Sequence, residues 1–202
     1  MTVRAIVFDI GGVLEIDPDI GVAAKWEAAL GLGPGGLGGK LGHLWAAGSV
    51  GQMTLMEVHQ GIRDALGVDE DTVEAMMSDI WTQYLGTLNS PLYEYFRALR
   101  PRFVTGILSN SFVGAREREQ ALYGFEDACD LIIYSHEVGM SKPDERIFHL
   151  TWTRLGVKPE ELVFVDDHPP NIEAARALGI AAVHFRDNVQ AINEIEKHIG
   201  AY

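Results

Sequence analysis

Residues 4–12 read Arg4-Ala5-Ile6-Val7-Phe8-Asp9-Ile10-Gly11-Gly12, a β-branched apolar run that ends on an acid and then a glycine pair. An uninterrupted apolar run, as opposed to an alternating one, suits a strand covered on both faces, as in a parallel sheet. Similar runs recur at residues 103–108, 131–134, 162–165 and 181–185. Amphipathic stretches of helical length lie between them, at 91–100, 113–122, 144–155 and 170–178. Strands alternating with helices predict an α/β fold, a doubly wound parallel sheet with right-handed crossovers.

One region breaks the alternation. From residue 18 to residue 88 no strand-like run occurs, only helical patterns at 20–30, 41–47, 55–66 and 71–85. Four helices placed directly after the first strand read as an inserted lid. The expected division is therefore a core of residues 1–15 and 89–202 with a small α-helical cap of residues 16–88. Inside the cap, residues 31–39 hold six glycines and a proline. Such a stretch is expected to be a mobile surface loop, or else a gate over the site.

Composition narrows the function classes. The 202 residues are 47% apolar and 22% charged, enough for a real core and incompatible with global disorder. Lys and Arg number 16 against 29 Asp and Glu, a formal charge of -13. That surface offers no footprint for nucleic acid or an anionic membrane. No apolar run is long enough to span a bilayer, and the first twelve residues are too short and too acidic for a secretory signal. A single cysteine, Cys129, excludes an internal disulfide and a thiolate metal cluster. The expectation is a cytoplasmic protein, monomeric or homodimeric.

In open parallel sheets ligands bind beyond the carboxyl ends of the strands, where strand order reverses. The residues expected there are Asp9, Ser109-Asn110, Ser141-Lys142-Pro143 and Asp166-Asp167. Carboxylates, a hydroxyl and a lysine thus converge on one crevice from four strand ends.

These segments resemble, in order and spacing, the four motifs of the haloacid dehalogenase-like hydrolase superfamily. They are Val7-Phe8-Asp9-Ile10-Gly11-Gly12-Val13-Leu14, Ile107-Leu108-Ser109-Asn110-Ser111, Met140-Ser141-Lys142-Pro143-Asp144 and Val163-Phe164-Val165-Asp166-Asp167. The resemblance spans roughly residues 1–15 and 90–190, and the helical insert sits where that superfamily places its smaller cap. It implies a Rossmann-like core, a phosphatase working through Asp9 as nucleophile, and Mg2+ as cofactor. A strand-end carboxylate can attack phosphorus and form a covalent intermediate that water resolves. Magnesium suits hard carboxylate ligands and shares the substrate phosphate. By position Asp167 resembles the direct ligand, Asp166 its support, and Asp9 and the Gly11 carbonyl complete the set. Lys142 would neutralise the charge between Asp9 and a phosphate. The Ser109 hydroxyl and the Asn110 N–H resemble phosphate-oxygen donors, while the Asn110 side chain fixes the turn. Asn171 and His168 follow the last motif, with roles near the metal acids or in the helix start.

One departure matters. Most phosphatases of the superfamily carry a second Asp two residues after the nucleophile, which protonates the leaving alkoxide and then activates water. Here that position is Gly11. Three readings stay open. The first is a phosphatase with an undemanding leaving group, similar to the glucose-1-phosphate phosphatase-like subgroup, or one using another acid such as Glu15 or Asp17. The second is a 2-haloacid dehalogenase-type hydrolase, which needs no leaving-group proton. The third is a non-catalytic relative that binds a phosphorylated ligand. The dehalogenase reading needs a cation for the substrate carboxylate, and residues 15–90 contain only Lys25, Lys40 and Arg63. The same segment holds eleven acids, so the expected substrate is a small phosphorylated metabolite with a neutral leaving group, such as a sugar. Trp26, Trp45, His43, His59 and Tyr84 are the cap residues able to face it, or else to fill the cap's core.

Overall fold

In the computed structural model, which describes residues 2–200, strand β1 (Ala5–Phe8) is buried on both faces. Ile6 and Phe8 pack into one apolar cluster, and Ala5 and Val7 into another. The chain then runs through β2 (Glu15–Ile16), α1 (Val22–Ala29), α2 (Gly36–Ser49), α3 (Leu55–Leu66), α4 (Glu70–Leu85) and β3 (Thr87–Leu88). It continues as α5 (Ser90–Leu99), β4 (Val104–Ser109), α6 (Ala115–Tyr123), α7 (Phe125–Ala128), β5 (Leu131–Tyr134), α8 (Ser135–Val138) and α9 (Glu145–Leu155). The last elements are β6 (Leu162–Asp166), α10 (Pro169–Ala177), β7 (Ala181–His184) and α11 (Asn188–Ile199).

Five strands form one parallel sheet in the order β5-β4-β1-β6-β7. The chain winds outward from β1 through β4 and β5, then returns to β6 on the other side. Strand order therefore reverses at β1, and the ends of β1, β4 and β6 border the crevice that such a reversal opens. Phe8 is level with Ile107 on one side and Val165 on the other. The fold is the doubly wound α/β sheet that the sequence predicts.

Helices α1–α4 build a third apolar cluster, centred on Leu41, Ile62 and Met76, to which Phe112 and Ala115 from the sheet side contribute. Helix α3 starts where Thr54 and Glu57 close a reciprocal capping box and stops at Gly67 in the left-handed conformation. Among the described residues no helix is long and apolar enough to cross a membrane.

Two expectations are corrected, and one element is added. Residues 18–88 are not free of strand, because Thr87–Leu88 pairs antiparallel with Glu15–Ile16. This ribbon brings both ends of the helical segment together beside the sheet. The glycine stretch is not a loop throughout, since Gly36 opens α2. Leu37, Leu41 and Leu44 lie on the buried stripe of that helix, and its burial outweighs the roughly 1 kcal/mol that each helical glycine costs. Helix α11 was not expected at all; Asp187 caps it and Ala191 and Ile195 anchor it to the sheet.

Candidate active site

Asp9 leaves β1 with its N–H still donating to Val165 O at 2.9 Å, so sheet geometry extends to the first functional side chain. Its Oδ1 accepts the Ile10 N–H at 2.8 Å, and the residue is only 8% exposed. Lys142 comes from the turn before α9, and its side chain has no solvent exposure. Its Nζ lies 2.7 Å from Asp9 Oδ1, 2.7 Å from Asp166 Oδ2 and 2.8 Å from Leu108 O. An ammonium has three protons, and each has an acceptor here.

Asn110 holds that lysine in place. Its Nδ2 donates to Lys142 O at 2.8 Å and its Oδ1 accepts the Lys142 N–H at 2.8 Å. The amide thus ties the loop after β4 to the turn that carries Lys142. Ser109 is buried at the end of β4. Asp166 is fully buried and fully engaged: Oδ1 accepts the His168 N–H at 2.8 Å, and Asn171 Nδ2 lies 3.1 Å from each oxygen. His168 acts through its backbone, and Asn171 through its amide. Asp167 is exposed and leans against Gly12, where a Cβ would lie 2.3 Å from Asp167 Oδ2. Gly12 also has φ +70, so the backbone and the contact both call for glycine.

Asp9, Asp166 and Asp167 each present an oxygen within 4.8 Å of the others. Burial is the main force raising the Asp9 carboxyl, to about 8, with Lys142 opposing it and Asp166 adding to it. Burial works to raise Asp166 as well, but the Lys142 ammonium and the His168 N–H outweigh it and hold that group low. Burial and then Asp166 raise Asp167. Three carboxylates share one lysine, so the donor set lacks positive charge and consists of hard oxygens, which fits a magnesium ion.

Asp17, just after β2, returns to this loop. Its Oδ1 accepts the Gly12 N–H at 2.9 Å. A Cβ on Gly11 would meet nothing within 4 Å except Asp17 Oδ2, at 3.6 Å. The space beside the glycine that departs from the motif is therefore bordered by a carboxylate from elsewhere in the chain. Glu15 is buried, with burial and Glu119 pushing its carboxyl up to about 10.

Of the five cap residues singled out, Trp45 and Tyr84 line a cavity that reaches Asn110 and Ser141. Trp26 instead donates to Asp79 at 2.8 Å, His59 borders two other cavities beside Arg118 and Arg63, and His43 is exposed on α2. Sequence reasoning missed Ile80, Trp81 and Phe112 on the same wall. Phe112 directly follows the second motif, which was the available signal.

A family model described as haloacid dehalogenase-like hydrolase matches residues 3–179. Bifunctional epoxide hydrolase 2 of Rattus norvegicus is 27% identical over 99% of this chain, which spans only 39% of that protein's length. A D-ribitol-5-phosphate phosphatase of Bacteroides thetaiotaomicron is 27% identical over 88% of this chain and 89% of its own. Among solved structures, a HAD family enzyme of B. thetaiotaomicron in complex with magnesium and inorganic phosphate superposes with a TM-score of 0.71 at 22% identity, covering 90% of this chain and 93% of that one. L-2-haloacid dehalogenase of Xanthobacter autotrophicus superposes with a TM-score of 0.62 at 21% identity, covering 97% and 83%.

Proposed function

This chain belongs to the haloacid dehalogenase-like hydrolase family, and from that premise we propose that it is a magnesium-dependent phosphomonoester hydrolase working through a phosphoaspartate on Asp9. The observation that carries the reading is the Asp9–Lys142–Asp166 contact, with Asp167 beside it. The similar D-ribitol-5-phosphate phosphatase of B. thetaiotaomicron and the similarly folded enzyme solved with magnesium and inorganic phosphate support the same class.

In this reading Asp9, Asp167 and the Gly11 carbonyl would hold the ion, and Asp166, whose oxygens are already bonded, orients Lys142. Bound magnesium would supply Lewis-acid stabilisation of phosphoryl charge. The Ser109 hydroxyl and the Asn110 N–H hold phosphate oxygens, and Lys142 favours the anionic form of Asp9 against its burial and screens its approach to phosphate. Asp9 attacks phosphorus as the ester P–O bond breaks. The leaving oxygen takes a proton from Asp17, placed at the gap beside Gly11. Asp17 then accepts a proton from the water that attacks the phosphoaspartate, releasing phosphate and restoring Asp9. Residues 16–88 form the cap, opening to admit substrate and closing to exclude water.

The dehalogenase reading has less support. Its substrate carboxylate needs a cation over Asp9, but Lys25 pairs with Asp79 at 2.5 Å and Arg63 with Glu70 at 3.7 Å. Two neutral leaving groups remain compatible with the phosphatase reading, a sugar or polyol and a more apolar alcohol.

The test is phosphate release from aryl, sugar and acyl phosphates, with magnesium and with excess chelator, in wild type and Asp9→Asn. Release that needs the metal and disappears in Asp9→Asn is expected. Activity persisting in chelator would sink the metal assignment, and no release from any ester would return 2-haloacids as the substrates to try.

A further inference from the structure

The cavity that meets Asn110, Ser111 and Ser141 has a volume of about 350 Å³, and its opposite wall is Trp45, Ile80 and Tyr84 from α2 and α4. A second cavity of about 360 Å³ shares those three residues and ends at Asp17. Both therefore open onto the loops of the site: one through Asn110, which pins Lys142, the other through Asp17, which accepts the Gly12 N–H. Trp45, Ile80 and Tyr84 are only part-buried, unlike Trp81 and Phe112 behind them.

From this arrangement we propose that the alcohol part of the substrate is uncharged and mainly apolar, seated against Trp45, Ile80 and Tyr84; the proposal rests on the phosphatase reading and narrows its substrate class. Charge comes first. Among the described residues no lysine, arginine or histidine lines either cavity, and the charged group there is the acid Asp17. A second phosphate or a carboxylate on the substrate would be desolvated there without a partner, which is costly.

Hydrogen bonding then separates an apolar alcohol from a polyol. A sugar needs several free polar groups to replace its water. Of the polar side chains that face this cavity, three are committed to the protein itself, while Trp81 Nε1 is buried without a partner. Both ends of the Asn110 amide bond Lys142, Ser111 Oγ lies 2.7 Å from His136 Nδ1, and Ser135 Oγ donates to Ser49 O at 2.7 Å. The aromatic wall is also braced. Trp45 meets Phe112 edge-on at 5.5 Å between ring centres, and Trp81 meets Tyr84 at 5.3 Å. A rigid and mainly aromatic wall selects flat or aliphatic bodies.

The experiment compares kcat/KM for 2-naphthyl phosphate, n-octyl phosphate, hexose 6-phosphate, 3-phosphoglycerate and acetyl phosphate, in wild type and Trp45→Ala. The two apolar esters should exceed the hexose ester by about tenfold or more, and Trp45→Ala should remove about tenfold of that through KM. Acetyl phosphate, too small to reach Trp45, should change less than about twofold, which a general loss of folding would not permit. Preference for the hexose ester or 3-phosphoglycerate would overturn the apolar assignment and leave the phosphatase reading standing. So would an equal loss on every substrate in Trp45→Ala. If no compound, acetyl phosphate included, releases phosphate, the phosphatase reading falls. Calorimetric binding to Asp9→Asn then decides the cavity by itself. Tenfold tighter binding of 2-naphthyl phosphate than of hexose 6-phosphate keeps the assignment, and equal or weaker binding overturns it.

Discussion

Lys142 Nζ sits 2.7 Å from Asp166 Oδ2, and neither side chain is exposed to solvent. A buried ion pair of this kind is a weak source of net stability, yet removing one partner is expensive because the other is left charged and dry. The pair serves position: Asp166 aims the ammonium, whose remaining protons go to Asp9 and Leu108 O.

Lys142→Met is therefore expected to end phosphate release and to destabilise the fold by about 3 kcal/mol at pH 8. The loss should shrink toward pH 5, where a proton can be shared between Asp9 and Asp166 in place of the ammonium. Urea unfolding at the two pH values checks this; equal stability to wild type at pH 8 would show that the acids do not depend on the lysine.

Gly12→Ala tests the seat of Asp167. The new methyl would fall 2.3 Å from Asp167 Oδ2 at a backbone φ of +70. Strain of about 1–2 kcal/mol is expected. A rise of about tenfold in the magnesium concentration giving half-maximal activity should accompany it as Asp167 is displaced. Unchanged magnesium dependence would mean that Asp167 is not a ligand.

Asp17→Asn separates proton transfer from loop support. Asparagine keeps an Oδ1 able to accept the Gly12 N–H, so the loop should hold. Rates on alkyl phosphates, which need a leaving-group proton, should fall about 10²-fold or more, whereas aryl phosphates should lose far less. Gly11 has room for a side chain, with only Asp17 Oδ2 nearby at 3.6 Å. Adding Gly11→Asp to Asp17→Asn should then restore much of the alkyl activity. Equal losses on both ester classes would assign Asp17 to structure alone.

Glu15 and Glu119 set an expected pH dependence of stability. Burial is the largest cause raising Glu119 from 4.5 to about 7, and Glu15 from 4.5 to about 10. Each folded carboxyl keeps its proton where the unfolded chain has lost it. Stability therefore declines as pH rises above 4.5, levelling for Glu119 above about 7 and continuing to fall for Glu15 toward about 10. Glu15→Gln should make the protein more stable than wild type at pH 8.5, on the order of 2 kcal/mol, with little difference at pH 4.5. Thermal melts across that range measure it, and parallel curves for the two proteins would refute the burial account.

The parallel sheet was legible because strands buried on both faces have to be continuously apolar, and five such runs stand out between helical stretches. The strand-end acids and lysine were legible for a related reason: polar groups that abruptly close an apolar run have few places to be except the sheet's edge of chemistry. Helix α11 was legible as well, since Ala191, Ile192, Ile195 and Ile199 recur at helical spacing and pack onto the sheet. The glycines of α2 misled because local propensity was outvoted by Leu37, Leu41 and Leu44 packing against other helices.

The sequence by itself determined the order of elements and the residue types at each strand end, because backbone periodicity and the covalent chain carry that information locally. Only the tertiary structure decided that Asp17 reaches the gap beside Gly11, that Asn110 clamps Lys142, and that Trp45 and Tyr84 face the site while Trp26 and His59 do not. Those are distances between residues on separate elements, most of them far apart in the chain. They are set by how the sheet's loops meet and how helices α1–α4 pack beside them, which no single stretch of residues specifies.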